Sequence, residues 1–146
     1  MPCDITAHVA LPFPEGTVKR WAHQMLRSLG YKGVTTALSV AFVGDSEMRA
    51  INRRYHHSPG TTDVLSFPGE RRGDLGEIVM SLPQARRQAR EYGHTIEAEV
   101  RALLAHGILH LVGYSHGRPK HRERMKRAER LLLGGHSLIQ RSIHTP

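Results

Sequence analysis

The sequence predicts an α+β fold: one small domain over residues 1–146, a mixed four-stranded sheet packed by about five helices, with a central buried helix carrying metal ligands. Three observations carry that expectation. The chain has 146 residues, 39% of them apolar and 23% charged, which is the size and mixture of one globular domain with a core of its own. Its apolar positions switch repeatedly between period-two and helical spacing. Two strand-like stretches, 63–67 and 75–80, follow each other with only the exposed Arg71-Arg72-Gly73 turn between them, which argues against a doubly wound parallel sheet.

Taken in order, Asp4–Ala10 alternates as a strand and ends at Pro12 and Pro14. Val18, Trp21, Ala22, Met25, Leu26 and Leu29 recur at helical spacing over 17–29, and Gly30 stops them. Val34–Val43 is β-branched and apolar, a second strand. Asp45 is placed to cap the next helix, with Met48 and Ile51 inward. Ser58-Pro59-Gly60 marks a loop. After the two consecutive strands, Ser81 and Pro83 open a helix that runs to about Tyr92 and stops at Gly93.

Thr95 caps the most distinctive helix. From Ala102 to Val112 it has no charged residue, and its only strongly polar side chains are His106 and His110, so it is expected to be central and buried. Gly113 ends it. Pro119 opens a last helix to about Leu133, with Met125, Ala128, Leu131 and Leu132 inward and the arginines outward; residues 134–146 read as a flexible tail.

Chemistry concentrates in His106, His110 and His116. Side chains four apart on a helix lie about 40° apart around the axis and one turn along it, so two imidazoles converge on one point. The turn at Gly113 can return His116 to that point. Three neutral nitrogens suit one Zn²⁺ and leave a fourth tetrahedral position for water, the shape of a catalytic site. A packing role is the plainer alternative in a chain with eleven histidines, but two imidazoles in register within an apolar run cost desolvation unless they are used. The spacing equals that of the metzincin proteases, whose general-base Glu follows the first histidine; here that position is Gly107, which disfavours peptide hydrolysis.

Charge points to a polyanion. Basic residues number 21 against 13 acids, and 17 of the 21 are arginine, whose planar fork matches phosphate. Residues 117–146 hold eight basic side chains, Arg118 and Arg122 among them, against Glu123 and Glu129. A single cysteine, Cys3, excludes an intrachain disulfide; the acidic start argues against a secretory signal and the lack of a long apolar run against a membrane span, which leads to a cytoplasmic expectation.

Three blocks resemble the YbeY-type endoribonucleases, bacterial rRNA maturation factors. Thr61–Pro68, TTDVLSFP, is similar to that family's PTDVLSFP; Leu75–Ser81, LGEIVMS, to its LGDI; and His106–His116, HGILHLVGYSH, to its HGxLHLxGYDH. The resemblance implies a small α+β domain, zinc on His106, His110 and His116, and cleavage of single-stranded RNA in 16S rRNA 3′-end maturation and ribosome quality control. The partners it implies are rRNA and the ribosome or its small subunit. Besides Thr61, three positions depart from the pattern: His56 stands where the family has an arginine, Ser115 where it has an acid, and Glu77 where it has Asp. Catalytic candidates are His106, His56 and Asp63, with Ser66 a further candidate base; Arg53, Arg54, Arg118 and Arg122 are the candidate phosphate contacts. Two other classes fit the residues: an RNA- or ribosome-binding module with a non-catalytic zinc, and a zinc hydrolase of another substrate class.

Overall fold

The computed structural model describes residues 3–31, 37–56, 63–114 and 118–134. Nine elements follow in chain order: β1 (Cys3–Ala7), α1 (Glu15–Ser28), β2 (Ala37–Val43), α2 (Asp45–His56), β3 (Val64–Pro68), β4 (Asp74–Ser81), α3 (Leu82–Tyr92), α4 (Ile96–Leu111) and α5 (Pro119–Leu132). The α+β expectation holds. The four strands form one mixed sheet in the order β1-β2-β4-β3; β1, β2 and β4 are parallel, and β3 runs antiparallel to β4. The crossovers explain the order: helices between β1 and β2 and between β2 and the β3–β4 pair permit parallel pairing, whereas the short turn after Pro68 permits only a hairpin.

Alternation along the strands divides the core in two. Leu38, Val40 and Phe42 of β2, Val64 of β3, and Ile78 and Met80 of β4 face one side, where α1, α3, α4 and α5 pack in the main core. Val43, Leu65 and Val79 face the other side, covered by Met48 of α2 with Ile51 and Phe67 at its margin. Helix α4 lies at the centre of the larger core: Glu99, Val100 and all of 102–109 are buried. The absence of charge from Ala102 onward is thereby explained, since a stretch enclosed on every side has no solvated face.

Local signals act as read at two helix starts. Ser81 Oγ accepts the Gln84 N–H (3.3 Å) and Thr95 Oγ1 accepts the Ala98 N–H (3.1 Å). Gly93 closes α3 in the left-handed conformation, φ 71°.

Three expectations are corrected. Asp45 is not the cap of α2 but its first residue; Met48 N–H donates to Gly44 O, and the Asp45 carboxylate accepts from Arg87 at 2.8 and 2.9 Å and from Ser81 Oγ at 3.1 Å. That network ties α2 to the start of α3. Leu131 is 62% exposed, while Leu132 and Leu133 are buried, because the inward stripe of α5 runs Met125, Ala128, Leu132. The first strand ends at Ala7 and not at Ala10. The Ser58-Pro59-Gly60 loop, the 34–36 start of the second predicted strand and 135–146 lie outside the described residues.

Candidate metal centre

The two histidines of α4 meet. His106 Nε2 and His110 Nε2 are 3.1 Å apart, and the rings stand at 73° with centroids 4.6 Å apart. Two nitrogens bound tetrahedrally to one zinc at 2.0–2.1 Å would be about 3.3 Å apart, so the pair already holds nearly that separation. His106 is buried, 2% exposed, and its Nδ1 lies 3.3 Å from Glu129 Oε1 on α5. An Nδ1–H donating to that carboxylate leaves a lone pair on Nε2, the nitrogen that faces His110. Burial lowers the His110 pKa below the ordinary imidazole range, against opposing contributions from the Glu129 charge and a hydrogen bond to the Tyr114 backbone. A ring kept neutral is the form that binds a metal. The donor set fits a divalent ion that prefers imidazole.

Helix α4 sets this geometry by its closeness to the sheet. A Cβ on Gly107 would lie 2.9 Å from Ile78 Cδ1, so only glycine lets the helix rest flush on β4 at the turn between the histidines. Ser66 of β3 donates to Gly107 O (3.3 Å), fastening the same turn to the neighbouring strand. Two residues before Ile78 on β4, Gly76 has φ 134°, and a Cβ there would collide with Phe67 O and come within 3.1 Å of Leu111 Cδ2. Gly113, φ 106°, then turns the chain out of α4.

The remaining candidates are spread around this pair. His116 and Ser115 lie outside the described residues, and among the described residues no group of three or more metal-binding side chains is gathered. Asp63 is buried, 2% exposed, and its carbonyl accepts the Ser81 N–H; it stands just before the Val64–Met80 pair, while α4 carries Gly107 at Ile78. Three strand residues, about 10 Å, separate those levels. Arg53 and Arg54 are exposed on α2, across the sheet from the histidines, and His56 ends that helix with its side chain outside the described residues. Arg118 and Arg122 are exposed at the start of α5. A cleft of about 270 Å³ beside the α4 C-terminus is lined by Val112, Gly113, Tyr114, His121 and Arg124.

Glu129 is the residue that sequence reasoning passed over, counting it only as an acid within a basic stripe. Its signal was its spacing: four residues after Met125 and three before Leu132, a carboxylate on the apolar side of an amphipathic helix.

Comparison with known proteins decides the family. Residues 6–136 match the family described as endoribonuclease YbeY. The chain belongs to that family. It is 41% identical over 133 residues to an endoribonuclease YbeY of Myxococcus xanthus, covering 84% of this chain but only 44% of that relative's length. Its identity to the YbeY of Pelotomaculum thermopropionicum is 40% over 128 residues, covering 82% and 84% of the two chains. For Aquifex aeolicus YbeY it is 47% over 103 residues, covering 68% and 67%. The solution structure of a Thermotoga maritima protein shares the fold, with a TM-score of 0.61 at 23% identity over 90% of this chain and 89% of that one. No helix among the described residues of this YbeY-family chain is long and apolar enough to cross a membrane.

Proposed function

We propose that this chain is a zinc-dependent endoribonuclease that cuts single-stranded RNA in the cytoplasm, acting in 16S rRNA 3′-end maturation and ribosome quality control on the small subunit. One observation carries the reading: two Nε2 atoms of a buried helix face each other at 3.1 Å, with Glu129 holding the outer nitrogen of His106. His106, His110 and His116 hold the ion. When bound, it supplies Lewis acidity at the phosphodiester and acidity to water. Glu129 keeps the His106 proton on Nδ1 and gives the ring its orientation. Burial lowers the His110 pKa, which favours its neutral form. Arg118 and Arg122, with Arg124 at the cleft, meet the phosphates, so affinity falls steeply with salt. A buried His106 and a half-buried His110 favour a flexible single strand over a stiff duplex as substrate. Asp63, Ser66 and His56 are the candidates for moving the proton of the attacking hydroxyl, and Ser66 is the one fastened to the histidine-bearing turn.

The test compares zinc-loaded wild type with His110→Ala on labelled single-stranded and duplex RNA. Cleavage of the single strand by wild type alone is expected. Equal cleavage by both proteins overturns the proposal.

A further inference from the structure

Opposite the histidine pair, the described residues on the α2 side of the sheet enclose a groove of about 500 Å³. Its floor is Ile51, Phe67 and Val79, its rim Arg54 and Tyr55, and Glu77 projects into it from β4. Phe67 and Glu77 are direct cross-strand partners, so ring and carboxylate stand side by side on one face, Cβ atoms about 5 Å apart. Tyr55, 55% exposed, meets Phe67 edge-on at 5.1 Å, and the Arg54 guanidinium lies over the Tyr55 ring at 5.5 Å.

We infer that this groove receives a guanine base of the RNA, with Glu77 as the residue that selects it; the inference rests on the RNA-cleaving reading above. A flat apolar floor bounded by aromatic rings suits a base drawn out of a single strand. A carboxylate is acceptor-only, and its two oxygens match the adjacent N1–H and N2–H donors that only guanine presents side by side on its Watson–Crick edge. With Glu47 also in its wall, held by His8 at 2.9 Å, the groove has two carboxylates to one guanidinium on a chain of net charge +8. Its floor is thus acceptor-rich beside Glu77, which favours the donor edge of a base there. A basic peptide is the competing occupant, but Arg54 already takes the cation position over Tyr55.

The groove and the histidines share one end of the sheet. Glu77 adjoins Gly76, against which Leu111, the residue after His110, packs. Of the two edge strands among the described residues, β3 carries Phe67 of the groove and Ser66 bonded to the histidine-bearing turn, so a single strand rounding that edge reaches both.

The test is binding without cleavage, using 2′-O-methyl octamers of adenine that carry one guanine or one inosine, the latter lacking the 2-amino group. Fluorescence anisotropy on the full chain is expected to show guanine preferred on the order of ten-fold. In Glu77→Gln the preference is expected to fall to parity with the melting temperature unchanged, since Glu77 is exposed. No preference in wild type, a preference that survives in Glu77→Gln, or Glu77-dependent capture of an arginine-rich peptide without base preference overturns the inference. Cleavage without base preference removes this inference alone; base preference without cleavage removes the enzyme reading alone.

Discussion

The two faces of the sheet are made by the same strands and treated differently. Along β4, Ile78 and Met80 enter a core closed by four helices, whereas Glu77 and Val79 look out on one helix and an open groove. The closed face holds rings at fixed separations, as metal chemistry requires; the open face leaves room for a ligand. One amphipathic strand thus supports a rigid centre on one face of the sheet and an accessible surface on the other.

The largest effect that separates the faces comes from truncation. Leu104→Ala on α4, fully buried, is expected to cost about 2–5 kcal/mol in denaturant unfolding. Ile51→Ala, partly buried beside the groove, is expected to cost about 1 kcal/mol. Equal losses would erase the distinction. Next, Gly107→Ala places a Cβ within 2.9–3.1 Å of three Ile78 side-chain atoms and should destabilise by about 1–3 kcal/mol. Ile78→Val in the same chain should restore part of that loss, because the strain is local; simple additivity of the two changes would show it is not.

Glu129→Gln sharpens the account of the closed face. Its zinc affinity, measured against a competing chelator, should fall about 10–100-fold with little change in fold. Unchanged affinity would remove Glu129 from the centre. The smallest effect belongs to the tie that anchors α2. Arg87, by hydrogen bonding, holds the Asp45 carboxylate below its usual range, with Ser81 helping. The folded chain therefore keeps Asp45 ionised to lower pH than the unfolded chain. Its contribution is complete above the ordinary value of about 3.9 and is lost as pH falls through the lowered one. Both side chains are partly exposed, so the pair is worth no more than about 1 kcal/mol. Asp45→Asn should remove that portion of the acid limb in pH-dependent melting; an unaltered limb would show that the pair does not anchor α2.

Much of the closed face was legible because it depends on local pattern. A charge-free run announced α4, hydroxyl caps at Ser81 and Thr95 announced two helix starts, and a four-residue spacing announced the histidine pair. Less was legible where distant segments meet. The placing of β2 beside β4 depends on pairings between residues some forty apart, such as Val40 with Ile78. The partner of His106 is 23 residues away on another helix. Leu131 and Leu133 differ only by the rotation of α5 against its neighbours, which composition does not reveal. The position of Arg53 and Arg54 across the sheet from the histidines follows from α2 packing on the outer face, a fact of topology.

Gly107 has one more implication. In zinc proteases of the same histidine spacing, the residue after the first ligand aims a carboxylate at the reacting water. Here that position is pressed against Ile78, so an acid grafted there would be driven into hydrocarbon and away from any substrate. On the proposed zinc-dependent reading, the histidine-bearing helix would only grip the ion, and the acceptor of the nucleophile's proton would have to come from another part of the chain or from the RNA itself.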